Sequence, residues 1–420
     1  MTARPSVRRR STLIAAGLTV AMLLVAGVLA LIGANSVVNS TAGDSVDPDD
    51  RPILEFPPTD NAALAVVDEQ GRLASLVVAT LLPSGTGGSI VNIPVNADAN
   101  VGLDTTVRPL EALLDPDNPA AFFESVENTL ALSLQFGEIA GAERLEALLA
   151  PVAPVSVDLA GPVLDGSSDD TDVVVDAGVR QLDASMTALA LAAIDTSGAS
   201  YDHHWIDVDL WSAIAGGAGD VETQVDERPV TTLDDLFTRL WAGPVQARDL
   251  ELQPDVGPFD LDAVVLSRRD VFVVFGQISP VRVAAPGAGL VFRIVVPFSD
   301  EQISATDGLF DSRTDVARAV VGEMLSFENN VVSVDITPAD GGAPELTKIE
   351  VASEGFVPDL QASAFLIYGE AEAVLATERI DGVDAVITLG TSYFDLDADA
   401  GGANESTAET DVGDTVVDDG

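Results

Sequence analysis

Asn118–Leu159 reads NPAAFFESVENTLALSLQFGEIAGAERLEALLAPVAPVSVDL, and this stretch decides the fold. Asn118-Pro119 opens a helical pattern that runs to Leu132, with Phe122, Val126, Thr129 and Leu130 on one face. Ala142–Leu149 repeats that period until Pro151 and Pro154 stop it. Val155–Leu159 follows as a strand. Helices that alternate with strands cover a sheet, so the spacing predicts a layered α/β domain.

Working outward, Ala62–Val67 and Leu73–Leu82 are apolar runs joined by an Asp68–Gly71 turn, and Ser89–Ile93 is a third strand closed by Pro94. Pro83–Gly88 (PSGTGG) is a hairpin turn. It lacks phosphate-loop spacing, and a strand rather than a helix follows it. Gly166–Asp172 (GSSDDTD) is a solvated loop without EF-hand spacing. Helices are expected at Gln181–Ile194, Trp205–Ile214 and Thr231–Trp241, the last capped by Thr231 or Thr232. Beyond residue 260 the chain turns strand-rich, at Ala263–Leu266, Val271–Phe275, Val281–Ala284 and Leu290–Val296. A helix at Asp315–Leu325 and strands at Val331–Ile336 and Ala385–Leu389 complete this part around a mixed segment, Gly355–Glu372.

The N-terminal Leu13–Ile32 has no charge and one polar residue, Thr19. As a helix it spans roughly 30 Å, a bilayer's hydrocarbon core. Arg8, Arg9 and Arg10 precede it, and Asn35–Asp50 has no Lys or Arg, so the rest of the chain is expected outside the cytoplasm. Its apolar core is longer than a signal peptide's, which favours an uncleaved anchor in the cell membrane. The expected organisation is a basic cytoplasmic tail (1-11), an anchor (12-34), a disordered linker (35-55), α/β domains at 56-260 and 261-395, and an acidic tail (396-420). The net charge of −48 repels nucleic acid and anionic headgroups. With no cysteine, disulfides and thiolate chemistry are excluded.

Three stretches resemble the LytR-CpsA-Psr (LCP) family, single-pass envelope proteins that move glycopolymers from polyprenyl-pyrophosphate carriers to the cell wall. Val126–Val157 resembles the family's helix, Leu-rich connector, strand and second helix, with Ala153–Ser156 where the family has Gly-Gly-Val-Asp. Val91-Asn92-Ile93-Pro94 resembles its Ser-Ile-Pro-Arg-Asp strand end. Leu182-Asp183 with Ala188-Leu189 resembles its Leu-Asp-Gly…Ala-Leu helix. The resemblance covers about Phe56–Asp255. The second part resembles the LytR C-terminal domain through Val383–Thr391 and the helix Asp315–Leu325. It implies an LCP-like layered α/β domain followed by a smaller LytR-C-like α/β domain.

The departures concern charge. A pyrophosphate needs permanently charged, bidentate donors. Where the family has Arg-Asp after Ile-Pro, this chain has Val95-Asn96; where it has Arg-x-Arg, this chain has Ala193 and Asp195. Where it has Asp-x-x-Arg-x-x-Arg-Gln, this chain has DHHWIDVDLW from Asp202. Between Phe56 and Glu222 only Arg72, Arg108, Arg144 and Arg180 carry positive charge. The remnants that the resemblance implies are Asp60, Arg108 and Asp202. His203 and Asp207, at i and i+4, are the metal-ligand candidates of a helix. No Gly-x-Ser-x-Gly elbow is present.

Losing three or four charged donors, each contributing about 2.7–4 kcal/mol in a transition state, removes many orders of magnitude in rate. The sequence therefore reads as a pseudoenzyme, with no cofactor, that binds polyprenyl-linked glycans or cell-wall proteins during envelope glycopolymer assembly. The alternatives are a divergent phosphotransferase using Arg108, Asp60 and Mg, and a structural wall-associated protein.

Overall fold

Two five-stranded sheets carry the architecture of the computed structural model, which describes residues 53–396 apart from 55, 57, 101–106, 168–169, 196–199, 220–228, 254–262, 286, 288, 307 and 381. The expected anchor Leu13–Ile32, the basic tail, the boundary at 260/261 and the acidic tail beyond 396 lie outside the described residues. Among the described residues no helix is long and apolar enough to cross a membrane.

The first sheet is built from β1 (Asn61–Val67), β2 (Leu73–Leu81), β3 (Gly88–Asn92), β4 (Phe136–Ala140) and β5 (Val245–Arg248), in the order β5-β3-β2-β1-β4. The β1–β2 and β2–β3 pairs are antiparallel, while β4 and β5 join the edges in parallel. The first three strands are buried along nearly their whole length, because both faces of the sheet are covered.

Helices α1 (Pro119–Leu130), α2 (Ala142–Leu149), α3 (Ala184–Ala192), α4 (Ser200–Gly216) and α5 (Leu233–Trp241) follow the sequence pattern closely. The α1 residues that turn inward are Phe122, Val126, Thr129 and Leu130, the four that share the predicted face. Thr232 caps α5, its hydroxyl accepting from Asp235 N at 3.2 Å. Side chains from α2 to α5, such as Leu145, Leu191, Trp211 and Phe237, cover the face that bears Leu64 and Val77.

The opposite face, bearing Ala63, Val78 and Val91, shares a core with α1, with α6 (Arg268–Ile278) and with the second sheet. That sheet comprises β6 (Val291–Val295), β7 (Asn330–Asp335), β8 (Thr347–Val351), β9 (Ala371–Leu375) and β10 (Ala385–Thr388), in the order β7-β6-β10-β8-β9. Only the β8–β10 pair is antiparallel. Helix α7 (Arg313–Ser326) packs its Val316, Val320 and Met324 into the same core. The described residues from Ile53 onward form one compact unit.

Several sequence expectations change. Val271–Phe275 is helical, inside α6, although its residues favour strands. The run is buried all round, and a short apolar run fits a buried helix as well as a buried strand. Asp270, fully buried, holds the start of α6 by accepting from Glu251 N and Arg318 Nε, both at 2.6 Å. Further along, Gly276 lets the helix touch β7, where a Cβ would stand 3.1 Å from Val334 N. Gly166–Asp172 belongs to a hairpin, Val163–Ser167 with Asp170–Val175, rather than a loop. Gln181 and Leu182 end a strand, Gly178–Leu182, and α3 begins only after Asp183 caps it. Val281–Ala284 is reduced to one bridge between Leu132 and Val283. The linker's end, Ile53–Leu54, pairs in parallel with Arg379–Ile380.

Candidate functional site

Helix α4 lies over the first sheet near the start of β2 and the end of β3, where the family-like segments meet. His204, Asp207 and Trp211 stand at i, i+3 and i+7 and so share one helical face. Trp211 Nε1 donates to Ser75 Oγ at 3.1 Å, and the Ser75 hydroxyl donates in turn to the Asp207 carboxyl. His204 Nε2 lies 3.3 Å from Asp249 Oδ1, just beyond β5. Asn92 sits opposite Val77 in the β2–β3 register, on the same face as Ser75. It is 2% exposed, and neither its side-chain oxygen nor its nitrogen has a hydrogen-bond partner among the described residues.

Burial pushes the Asp207 carboxyl well above the usual carboxylate range, against the downward pull of Ser75. Burial, with Asp158 adding repulsion, also raises Asp209, two residues on. The group combines a carboxyl whose charged form burial disfavours, a hydroxyl, an amide and an indole. Such donors and acceptors pin α4 to the sheet. They do not balance the two or three negative charges of a pyrophosphate.

The predicted site residues separate. Asp60 precedes β1, its carbonyl accepting from Leu81 N, whereas Ser75 pairs with Val66 at the other end of that seven-residue strand. Arg108 is exposed, its backbone N–H donating to Asp98 Oδ1 at 2.9 Å. Asp202 and His203 belong to the first turn of α4, and their side chains lie outside the described residues. Asp207 points inward to Ser75. Arg72 pairs with Asp68 at 2.7 Å, Arg180 with Asp176 at 3.6 Å, and Arg144 with both Glu138 and Asp234 at 2.5 and 2.8 Å. Each of these three charges is thus answered by a carboxylate of the chain itself.

Beside α3 a cavity of about 860 Å³ opens between the β1–β2 turn and α2. Asp68, Glu69, Glu143 and Asp165 line it, with Arg144 as its one basic side chain among the described lining residues. That mouth repels a phosphate-bearing headgroup. Sequence reasoning passed over Ser75, Asn92 and Trp211. The available signal was polar residues within two apolar strands, Ser75 in LASLVVATL and Asn92 in GSIVN.

No family model matches the chain, and no curated protein matches it. Among solved structures, B. subtilis TagV aligns at 15% identity and a TM-score of 0.36, covering 52% of this chain and 94% of its own. TagT bound to LIIa-WTA aligns at 15% identity and 0.37, covering 55% and 96%. A LytR-CPS2A-psr family protein, YwtF (TagT) with bound octaprenyl pyrophosphate lipid, aligns at 15% identity and 0.35, covering 52% and 89%. These structural neighbours are LytR-CpsA-Psr proteins, the family that the sequence resembles. Superpositions of this quality assign this chain neither an activity nor a ligand.

Proposed function

We propose that this chain is a membrane-anchored, extracytoplasmic LytR-CpsA-Psr-type protein that serves cell-wall glycopolymer assembly by binding rather than by catalysis. Its partners on this reading are polyprenyl-linked glycans, and the anchor is Leu13–Ile32. The 56-260 part supplies the LCP-like scaffold and the 261-395 part a LytR-C-like one. The observation that carries the reading is the buried, arginine-free cluster of Ser75, Asn92, Asp207 and Trp211 beneath α4, where the resemblance implies arginines. A sheet end whose polar groups are buried and include no arginine gives no grip on a leaving pyrophosphate.

The test uses the full-length chain in mild detergent with a glycan linked to polyprenyl pyrophosphate. Native mass spectrometry is expected to show a bound carrier, and a phosphate-release assay to show no turnover with or without Mg. Turnover that requires Mg and is lost in Arg108→Ala would establish the phosphotransferase instead. Absence of carrier binding would remove the proposed partner.

A further inference from the structure

On the face of the first sheet turned toward the second, the register lines up a row of polar side chains across four strands. Asn61 pairs with Thr80, Thr80 with Ser89, and Ser89 with Gln246. Paired residues share a face, so this row interrupts a surface that is otherwise Ala63, Val78 and Val91. Asn61 is answered by Ser133 O, Ser279 Oγ and Gln135 N. Thr80 is not: it is 1% exposed and its hydroxyl has no partner.

The row borders a cleft of about 410 Å³ between the two sheets, closed on its third side by the end of α6. Two arginines from distant parts of the chain line it, Arg248 of β5 and Arg293 of β6. Arg293 is balanced: its Nη2 donates to Asp335 Oδ2 at 2.9 Å, and its guanidinium lies 5.0 Å from the centre of the Phe56 ring. Arg248 meets only amides, with Nη2 3.1 Å from Gln246 Oε1 and Nη1 3.5 Å from Gln277 Oε1. Its Nε is buried without a partner, as is that of Arg293.

A half-buried guanidinium loses hydration, and burial lowers the Arg248 pKa accordingly. With 68 carboxylates against 20 Lys and Arg, acids are abundant in the chain, yet among the described residues none pairs with this cation. A buried charge left without a counter-charge is costly unless something else supplies one. The remaining wall offers amide and hydroxyl groups from Gln246, Gln277, Thr80 and Ser89, which pair with ring hydroxyls.

We infer that the cleft between the two sheets is a binding site for an anionic saccharide unit, its acid group on Arg248 and its hydroxyls on Gln246 and Gln277. The acid is a carboxylate or a phosphate. Either accepts charge-assisted hydrogen bonds from the Nη groups of a guanidinium. The site lies on the face of the first sheet opposite α4, so it stands whatever the Asp207 cluster does.

Calorimetry on the full-length chain tests this with glucuronate, glucose 1-phosphate, glucose and inorganic phosphate. Saturable binding of glucuronate or glucose 1-phosphate is expected, at least about tenfold tighter than glucose, and the tighter of the two assigns the acid group. Arg248→Gln should weaken that binding about ten- to hundredfold, the loss of one charged hydrogen-bond pair. Gln277→Ala, a milder change, should weaken it as well. The inference is overturned if neither acid sugar binds, if glucose binds as tightly, or if inorganic phosphate matches glucose 1-phosphate while glucuronate is ignored. Unchanged affinity in both cleft variants overturns it too. Should Arg248→Gln fail to fold, Gln277→Ala and the wild-type ligand ranking still decide.

Discussion

Replacing Asp207 by Asn is expected to stabilise the fold at neutral pH and to leave it unchanged in acid. Asp207 is 3% exposed, and burial raises its pKa against the opposing hydrogen bond from Ser75. An unfolded aspartate titrates near about 3.9. Below that value both states hold the proton, and the carboxyl's native contribution is fully present. As pH rises, the unfolded chain releases its proton first. The native state then binds more protons than the unfolded one, and stability falls until pH has passed through the raised native value. The loss accumulates at about 1.4 kcal/mol per pH unit within that window. Asn keeps the shape and the acceptor for Ser75 but does not ionise. The gain in unfolding free energy over wild type should therefore be near zero at about pH 4 and at most about 2.8 kcal/mol at about pH 6, two units on. Urea melts of both full-length proteins across this range measure it. A difference flat with pH, or one that turns against Asn as pH rises, refutes the reasoning, because it would mean an ionised and well-held carboxylate.

Three further outcomes follow from single contacts. Trp211→Phe removes the Nε1 donor to Ser75 while keeping most of the buried ring, and should cost about 0.5–1.5 kcal/mol in denaturant melts. Asp270→Asn neutralises the buried acceptor of Arg318 and should cost about 1.5–3 kcal/mol, seen as a lower melting temperature. Gly390→Ala places a Cβ against the Leu346 backbone, which has no rotamer to yield, and should destabilise by about 1–3 kcal/mol by the same measurement.

The periodic elements were legible because their cause is local. The α1 stripe of Phe122, Val126, Thr129 and Leu130 follows from a period of 3.6, and the Thr232 cap from a hydroxyl one residue before the helix. What failed was decided at a distance. Nothing inside VFVVF says that it will be wrapped on all sides, so its β-branched residues pointed to a strand, while Asp270 and Gly276 committed it to a helix against β7. Gly390 shows the same division. Its position after the last strand was visible, but its need to be glycine comes from Leu346, 44 positions earlier.

The candidate site divides along that line as well. Asp60, Arg108 and Asp207 were chosen one segment at a time, and the strand register separates them: one end of β1 holds Asp60, the other faces α4, and Arg108 stays in solvent. The groups that do converge are polar residues inside apolar strands. Ser75 and Asn92 face α4; Thr80, Ser89, Gln246 and Arg248 face the second sheet. A polar residue in such a strand costs free energy unless something answers it. Trp211 and Asp207 answer Ser75 within the chain, whereas among the described residues no group answers Thr80 Oγ1 or the Nε of Arg248. The same physical test therefore sorts the two faces differently. The cluster under α4 leaves the Asn92 amide unanswered but brings no arginine to it, whereas the cleft between the sheets sets an arginine without a carboxylate partner among the described residues beside open space.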